Sequence, residues 1–196
     1  MRQRDCPFVS LKGLSLCLIA MDIDGAGLPF LKGQQPPAGA KDVSQLREIA
    51  KACHAAGVPF VLKGIMTERG AEKTLKAGAD GIVVSNHGGR VQDGVEATAT
   101  VLPDVARAVR DDLVVLVDGG IRSGVDVFRA LALGASAVLM CRPFVVAMYG
   151  GGQGVRDYLG ELQGELSDTM EMLRGRDRCR HHRRHGELVG DAPLGR

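Results

Sequence analysis

The chain has 196 residues and 45% hydrophobic content, enough for one domain with a real core. Aromatic residues make up 4%, Trp is absent and Gly numbers 27, which favours an Ala/Val/Leu-packed α/β protein over a β-sandwich. Net charge is +2, but residues 174–185 alone carry six Arg and one Asp; outside them 19 basic face 22 acidic residues, a net of −3.

No apolar run reaches membrane-spanning length, and Met1-Arg-Gln-Arg-Asp-Cys6 is not followed by a proper signal core, so the expected location is cytoplasmic. The five cysteines (6, 17, 53, 141 and 179) show no CxxC pair and no metal-ligand spacing, and read as reduced thiols.

Residues 1–13 give little pattern and remain an unassigned N-terminal segment. Leu14 to Met21 reads as a buried strand that ends in Asp22-Ile23-Asp24 and a Gly25-Ala26-Gly27 loop. Asp42 to Ala56 has helical periodicity, with Val43, Leu46, Ile49, Ala50 and Cys53 on one face and Gly57 closing it. His54 in that helix reads as a surface residue. Val58 to Leu62 is a strand ending in Lys63-Gly64, and Thr67 caps a helix over 68–77 that Gly78 closes.

Gly81 to Val84 is the next strand, followed by Ser85-Asn86-His87-Gly88-Gly89-Arg90. Ala97 to Val109 is helical, and Leu113 to Val117 is a strand ending in Asp118-Gly119-Gly120-Ile121-Arg122. Ser123 caps a helix over 125–133, and Ala137 to Met140 is a strand ending in Cys141-Arg142-Pro143. A last helix covers about 153–173. Five strand–helix alternations call for a parallel sheet with helical crossovers. The likeness of 78–84 to 134–140 favours repeated units of a (β/α) barrel over a doubly wound sheet.

All five strands end in polar groups, and in a barrel such ends share one rim, where barrel enzymes keep their active sites. His87 takes or gives a proton near neutral pH, and the planar fork of Arg90 matches a carboxylate with two parallel hydrogen bonds. Taken alone, that loop also fits a capped strand end with a solvated His and Arg. Arg122 and Arg142, with glycine-loop amides and the start of the following helix, make an anion site; the alternative is a rim ion pair for Arg122. Lys63 suits the electron-rich edge of a flavin or a salt bridge to Asp22 or Asp24. Asp24 is placed to orient His87, to bind a metal with Asp22, or to cap the Gly25 loop. Nothing else in the chain has a metal constellation.

Leu62-Lys63-Gly64, Ser85 to Arg90 with Asp93, Asp118 to Val127, Ala130 to Ala135 and Arg142-Pro143 occur in that order. Together they resemble the FMN-dependent 2-hydroxy acid oxidase/dehydrogenase family, over about residues 17–173. The resemblance implies a (β/α)8 TIM barrel, here a partial barrel of about five βα units corresponding to strands four to eight. It implies FMN as cofactor and oxidation of an L-2-hydroxy acid, lactate- or glycolate-like, to the 2-oxo acid. By that resemblance His87 is the base, Arg90 binds the substrate carboxylate and Asp24 partners His87. Lys63 and Ser85 lie near the flavin ring, and Asp118, Gly119, Gly120, Arg122, Cys141 and Arg142 hold the ribityl phosphate. The expected partner is a small-molecule hydroxy acid, with no nucleic acid and no membrane segment, and full-length family members are expected to be homo-oligomers.

The sequence departs from the family pattern in three places. The first three barrel strands are missing, so an open edge and exposed apolar surface are expected. Cys141 stands where the family has Gly, and its Cβ crowds close backbone approach to a phosphate. Asp22 stands where many members have Thr near the flavin. An alternative function is therefore a truncated, non-catalytic fragment that keeps at most a phosphate or FMN half-site. After Leu173 the pattern breaks into a basic tail (174–196), expected to be disordered. A one-base shift of GC-rich codons for 174–187 gives a family-like ending, which points to a frameshift near 173.

Overall fold

The structure, a computed structural model, describes residues 9–11, 14–16, 18–23, 41–90 and 93–173. Asp24, the Gly25 loop and the 174–196 tail lie outside the described residues. Two short strands, β1 (Val9–Leu11) and β2 (Leu14–Leu16), pair antiparallel. The apolar run from Leu14 to Met21 is therefore not one strand: β2 ends at Leu16, and β3 (Ile19–Asp22) belongs to a different sheet. Apolar continuity reports burial and is blind to a change of pairing partner.

The rest alternates as the sequence predicts. The elements are α1 (Val43–Ala55), β4 (Phe60–Ile65), α2 (Glu68–Lys76), β5 (Gly81–Val84), α3 (Thr98–Val109), β6 (Val114–Val117), α4 (Gly124–Ala132) and β7 (Ala137–Val138). A short helix α5 (Arg142–Ala147), where the sequence reading has only a strand end, precedes the long α6 (Gly151–Met172). Pro is tolerated there because it falls in the first turn, where its missing N–H is not needed.

The helix starts follow local chemistry. Asp42 caps α1 by accepting the Gln45 N–H at 2.8 Å, while the Gln45 side chain accepts the Asp42 N–H at 3.0 Å. Thr67 caps α2 through the Gly70 N–H at 3.0 Å. Ser123 caps α4 in a second reciprocal box with Asp126. Behind α1, Leu46, Ala50 and Cys53 recur at helical spacing and are buried against Phe60 and Leu62. Burial of a side chain such as Leu62 contributes about 2 kcal/mol.

Strands β3 to β7 form one parallel sheet in sequential order. Ile82, Val84, Val115 and Val117 face the helices in one apolar cluster with Leu102, Val105, Ala106 and Ala130. The alternation of strand side chains puts Val61, Lys63, Val83, Val114 and Leu116 on the opposite, concave face. Val114 there is 52% exposed, and Leu139 just past β7 is 41% exposed, matching the apolar exposure expected of an unclosed sheet.

Register is what gathers the site. Asp22 pairs with Lys63, and Val84 with Val117, which pairs with Val138, so the strand ends line up on one edge. The ladder slips by one residue between Lys63 and Ile65, where Gly64 has φ +97. A side chain at that φ is strained, so glycine makes the bulge that re-aims Lys63.

Candidate functional site

Lys63 Nζ donates to Asp22 Oδ2 at 3.1 Å and lies 3.9 Å from Asp118 Oδ2. The same Asp22 oxygen stands 3.4 Å from His87 Nδ1. Four ionisable groups from the ends of β3, β4, β5 and β6 thus meet at one point, as the common-rim reading requires. All four side chains are partly exposed, between 22% and 35%, so a cation at Lys63 is kept by two carboxylates with access to solvent. Asp22, the last residue of β3, is thus at ion-pair distance from both Lys63 and His87.

His87 is held in an uncommon conformation. Among the described non-glycine residues it alone has a positive φ, +55. Histidine visits this region more readily than most residues, and such conformations persist where the surroundings over-determine them. Here Ser85, fully buried, accepts the His87 N–H on its Oγ at 3.2 Å. Asn86 accepts the Gly88 N–H at 3.0 Å and donates its amide to the Glu96 carbonyl at 3.1 Å. The loop closes as a tight turn over His87–Gly89, with all three residues at positive φ, Gly88 at +66 and Gly89 at +72. Arg90 caps the turn and is exposed. The sequence marked Asn86 only as a strand-end polar residue, and Ser85 as that and, by resemblance, as a neighbour of the flavin ring; their work as staples appears once Glu96 is folded back.

The next two strand ends carry the arginines. Asp118 continues β6 with an N–H bond to the Val84 carbonyl at 3.1 Å, and its own carbonyl accepts Thr98 Oγ1 at 2.7 Å. Gly119 and Gly120 follow at φ +90 and +79. A Cβ on Gly120 would meet nothing within 4 Å, so the space over Gly120 is open, whereas one on Gly119 would come 3.1 Å from Thr98 Oγ1. Arg122 and Arg142 are both exposed, and the Arg142 guanidinium reaches 3.7 Å from where a Gly88 Cβ would lie. Two guanidiniums and an open glycine turn fit an anionic group such as a cofactor phosphate.

The start of α4 contributes less than its position suggests. Asp126 Oδ2 already accepts the N–H groups of Arg122 and Ser123 at 3.1 and 3.2 Å, Glu165 Oε2 accepts that of Gly124 at 2.6 Å, and Ser123 Oγ accepts that of Asp126 at 3.2 Å. Two protein carboxylates and the Ser123 hydroxyl thus occupy the N–H groups of Arg122, Ser123, Gly124 and Asp126 at this helix start. That leaves Arg122, Arg142 and the glycine turn as the chief groups for an anion.

Cys141 is exposed at the cap before α5, with φ −123, outside the left-handed region that favours glycine. Cys53 is buried, and burial, with Asp80 nearby, raises its thiol pKa. His54 is more engaged than its surface reading: its Nε2 lies 2.7 Å from Asp80 Oδ2, which also accepts the Phe60 N–H at 2.9 Å. That tie joins α1 to the turn before β5, away from the rim. Among the described residues no group of three or more His, Cys, Asp or Glu side chains is arranged to hold a metal. No helix among them is long and apolar enough to cross a membrane.

Residues 31–185 match the family described as FMN-dependent dehydrogenase. A peroxisomal (S)-2-hydroxyacid oxidase of Arabidopsis thaliana is 46% identical over 133 residues, covering 67% of this chain and 35% of the relative. An L-lactate dehydrogenase of Caulobacter sp. (strain K31) is 47% identical over 133 residues, 67% of this chain and 33% of its own length. The chain thus spans about a third of these curated relatives. Among solved structures, mandelate oxidase with 3,3-difluoro-2-hydroxy-3-phenylpropionic acid superposes with a TM-score of 0.71 at 37% identity, covering 83% of this chain and 52% of that one. A mandelate oxidase variant with the monooxide FMN adduct gives 0.71 at 38% identity over the same shares. The sequential parallel sheet is accordingly a partial (β/α)8 barrel, and the chain belongs to the FMN-dependent dehydrogenase family.

Proposed function

We infer that the rim is the flavin and substrate site of an FMN-dependent oxidoreductase that converts an L-2-hydroxy acid, lactate- or glycolate-like, to its 2-oxo acid. The observation that carries this reading is the meeting of Lys63, Asp22, His87 and Asp118 at one point, with the exposed Arg122 and Arg142 following the ends of β6 and β7. FMN, when bound, would supply a ring that takes up two electrons and one of the two protons lost by the alcohol, the other going to His87.

The chain's own residues do the rest. Arg122, Arg142 and the turn at Gly119 and Gly120 hold the phosphate, with Asp118 and Cys141 flanking it. Lys63 and Ser85 line the ring edge. Arg90 clamps the substrate carboxylate with parallel hydrogen bonds. His87 accepts the proton released as the alcohol carbon becomes a carbonyl, and a carboxylate on its Nδ1 side stabilises the imidazolium that results. That partner comes from the Asp22/Asp24 pair, with Asp22 the member at 3.4 Å. A cytoplasmic location and a homo-oligomeric full-length protein belong to the same reading.

The test is anaerobic addition of L-lactate to the chain preincubated with FMN, followed at the visible flavin band. Bleaching that His87→Gln abolishes supports the reading; bleaching indifferent to His87→Gln removes the base from it. A second reading, a half-site that holds the cofactor without turnover, is favoured by the exposure of Val114 and Leu139 on an unclosed five-stranded sheet. Bound flavin that L-lactate leaves oxidised would select it.

A further inference from the structure

Helix α6 carries two polar side chains that reach back to the turn between β6 and α4. Tyr158 Oη donates to the Arg122 carbonyl at 2.6 Å, 36 residues away in sequence. Glu165 Oε2 accepts the Gly124 N–H at 2.6 Å. These residues are seven apart, two helical turns, so both project from one face of α6. The Tyr158 ring also meets Phe144 edge-on, with centroids 5.2 Å apart and planes at 73°. Phe144 lies two residues after Arg142 at the start of α5. One tyrosine is thus bonded to the backbone of the first arginine and packed on the helix that carries the second.

The packing around this tie is close. A Cβ on Gly124 would approach Glu165 Cβ and the Leu162 carbonyl at 2.6 Å, so α4 and α6 are in backbone contact where Glu165 bonds. Burial, together with Glu161, Glu165 and Asp126, raises the Tyr158 pKa above its ordinary 10.

We propose that Tyr158 and Glu165 are positioning residues that fix Arg122 and Arg142 for the cofactor phosphate, Tyr158 through the Arg122 carbonyl and Phe144, Glu165 through the Gly124 N–H. The proposal rests on the assignment of the phosphate to this arginine pair. It separates two properties that ordinary destabilisation moves together: affinity for the phosphate end of the flavin and affinity for its ring.

Dissociation constants of FMN and of riboflavin, which lacks the phosphate, measured by flavin fluorescence on the 196-residue chain, make the test. Tyr158→Phe and Glu165→Ala each weaken FMN by about fivefold, as loss of one hydrogen bond implies, and leave riboflavin within about twofold. Glu165→Gln, which keeps an acceptor for the Gly124 N–H, restores most of the FMN affinity. Equal weakening of both flavins, or no change in either where the unaltered chain prefers FMN, overturns the proposal. A chain that binds FMN and riboflavin alike defeats the phosphate assignment instead. Amide hydrogen exchange without flavin then tests the tie itself: the Gly124 amide exchanges about tenfold faster in Glu165→Ala than in the unaltered chain, with β4 amides unchanged. Unaltered exchange at Gly124 contradicts the tie.

Discussion

Asp22 and Lys63, 41 residues apart, are register partners in adjacent parallel strands and share a 3.1 Å hydrogen bond at the strand ends. Because the same Asp22 oxygen stands 3.4 Å from His87 Nδ1, one carboxylate couples a cation suited to the flavin edge with the proposed base. A threonine at this position would have no charge to offer either partner.

Asp22→Asn therefore leaves Lys63 and His87 without this shared anion. Both partners are partly solvated, so the expected loss of stability is modest, about 1 kcal/mol, read from urea unfolding. Under the proposed function flavin reduction by L-lactate also slows. A variant with unchanged stability and unchanged reduction would show the contact to be idle.

Gly124 tests the join between α4 and α6. Gly124→Ala puts a methyl group against the Leu162 carbonyl and Glu165 Cβ, both 2.6 Å from the ideal position. Since backbone has to shift, the expected cost is about 3 kcal/mol, with loss of the Gly124 to Glu165 bond. Thermal or urea unfolding measures it; a loss below that of an ordinary surface change would mean the helices are not in contact as described.

Cys141 has a negative φ, −123, so the position does not demand glycine through a left-handed backbone. If a phosphate approaches this backbone, Cys141→Gly removes the crowding Cβ and tightens FMN. The same change lowers stability by about 0.5–1 kcal/mol through added freedom of the unfolded chain. Weaker FMN binding in this variant would place the phosphate elsewhere on the rim.

Asp42 sets part of the acid response. The Ser44 hydroxyl, then the Gln45 N–H, hold its carboxyl below the ordinary 3.8. A depressed folded value means the contribution is present above the unfolded pKa and is lost as pH falls from there through the folded value. Asp42→Asn keeps a capping oxygen but removes this titration, so its stability falls less steeply with acid below about pH 4. Parallel acid limbs for the two proteins would assign the acid response elsewhere.

Much of the fold was legible because parallel strands buried on both faces read as unbroken apolar runs, as Gly81 to Val84 does, and because Asp42, Thr67 and Ser123 announce helix starts. The split of the Leu14 to Met21 run was not, since pairing partners leave no mark on an apolar stretch. The rim was legible as a set of polar strand ends, but not which ends touch: register, with the Gly64 bulge, decides that Asp22 meets Lys63 and His87. Tyr158 and Glu165 were silent in the sequence. Their partners lie 36 and 41 residues away, and on an amphipathic helix they pass for solvent-facing residues.

The most direct test of the account is a titration of the 196-residue chain with FMN, followed by visible absorption and flavin fluorescence, alongside Arg122→Ala and Arg142→Ala. The account predicts a perturbed flavin band and saturable binding that either substitution weakens. A spectrum that stays that of free FMN at every protein concentration, or binding that neither substitution alters, would contradict the rim as the cofactor site.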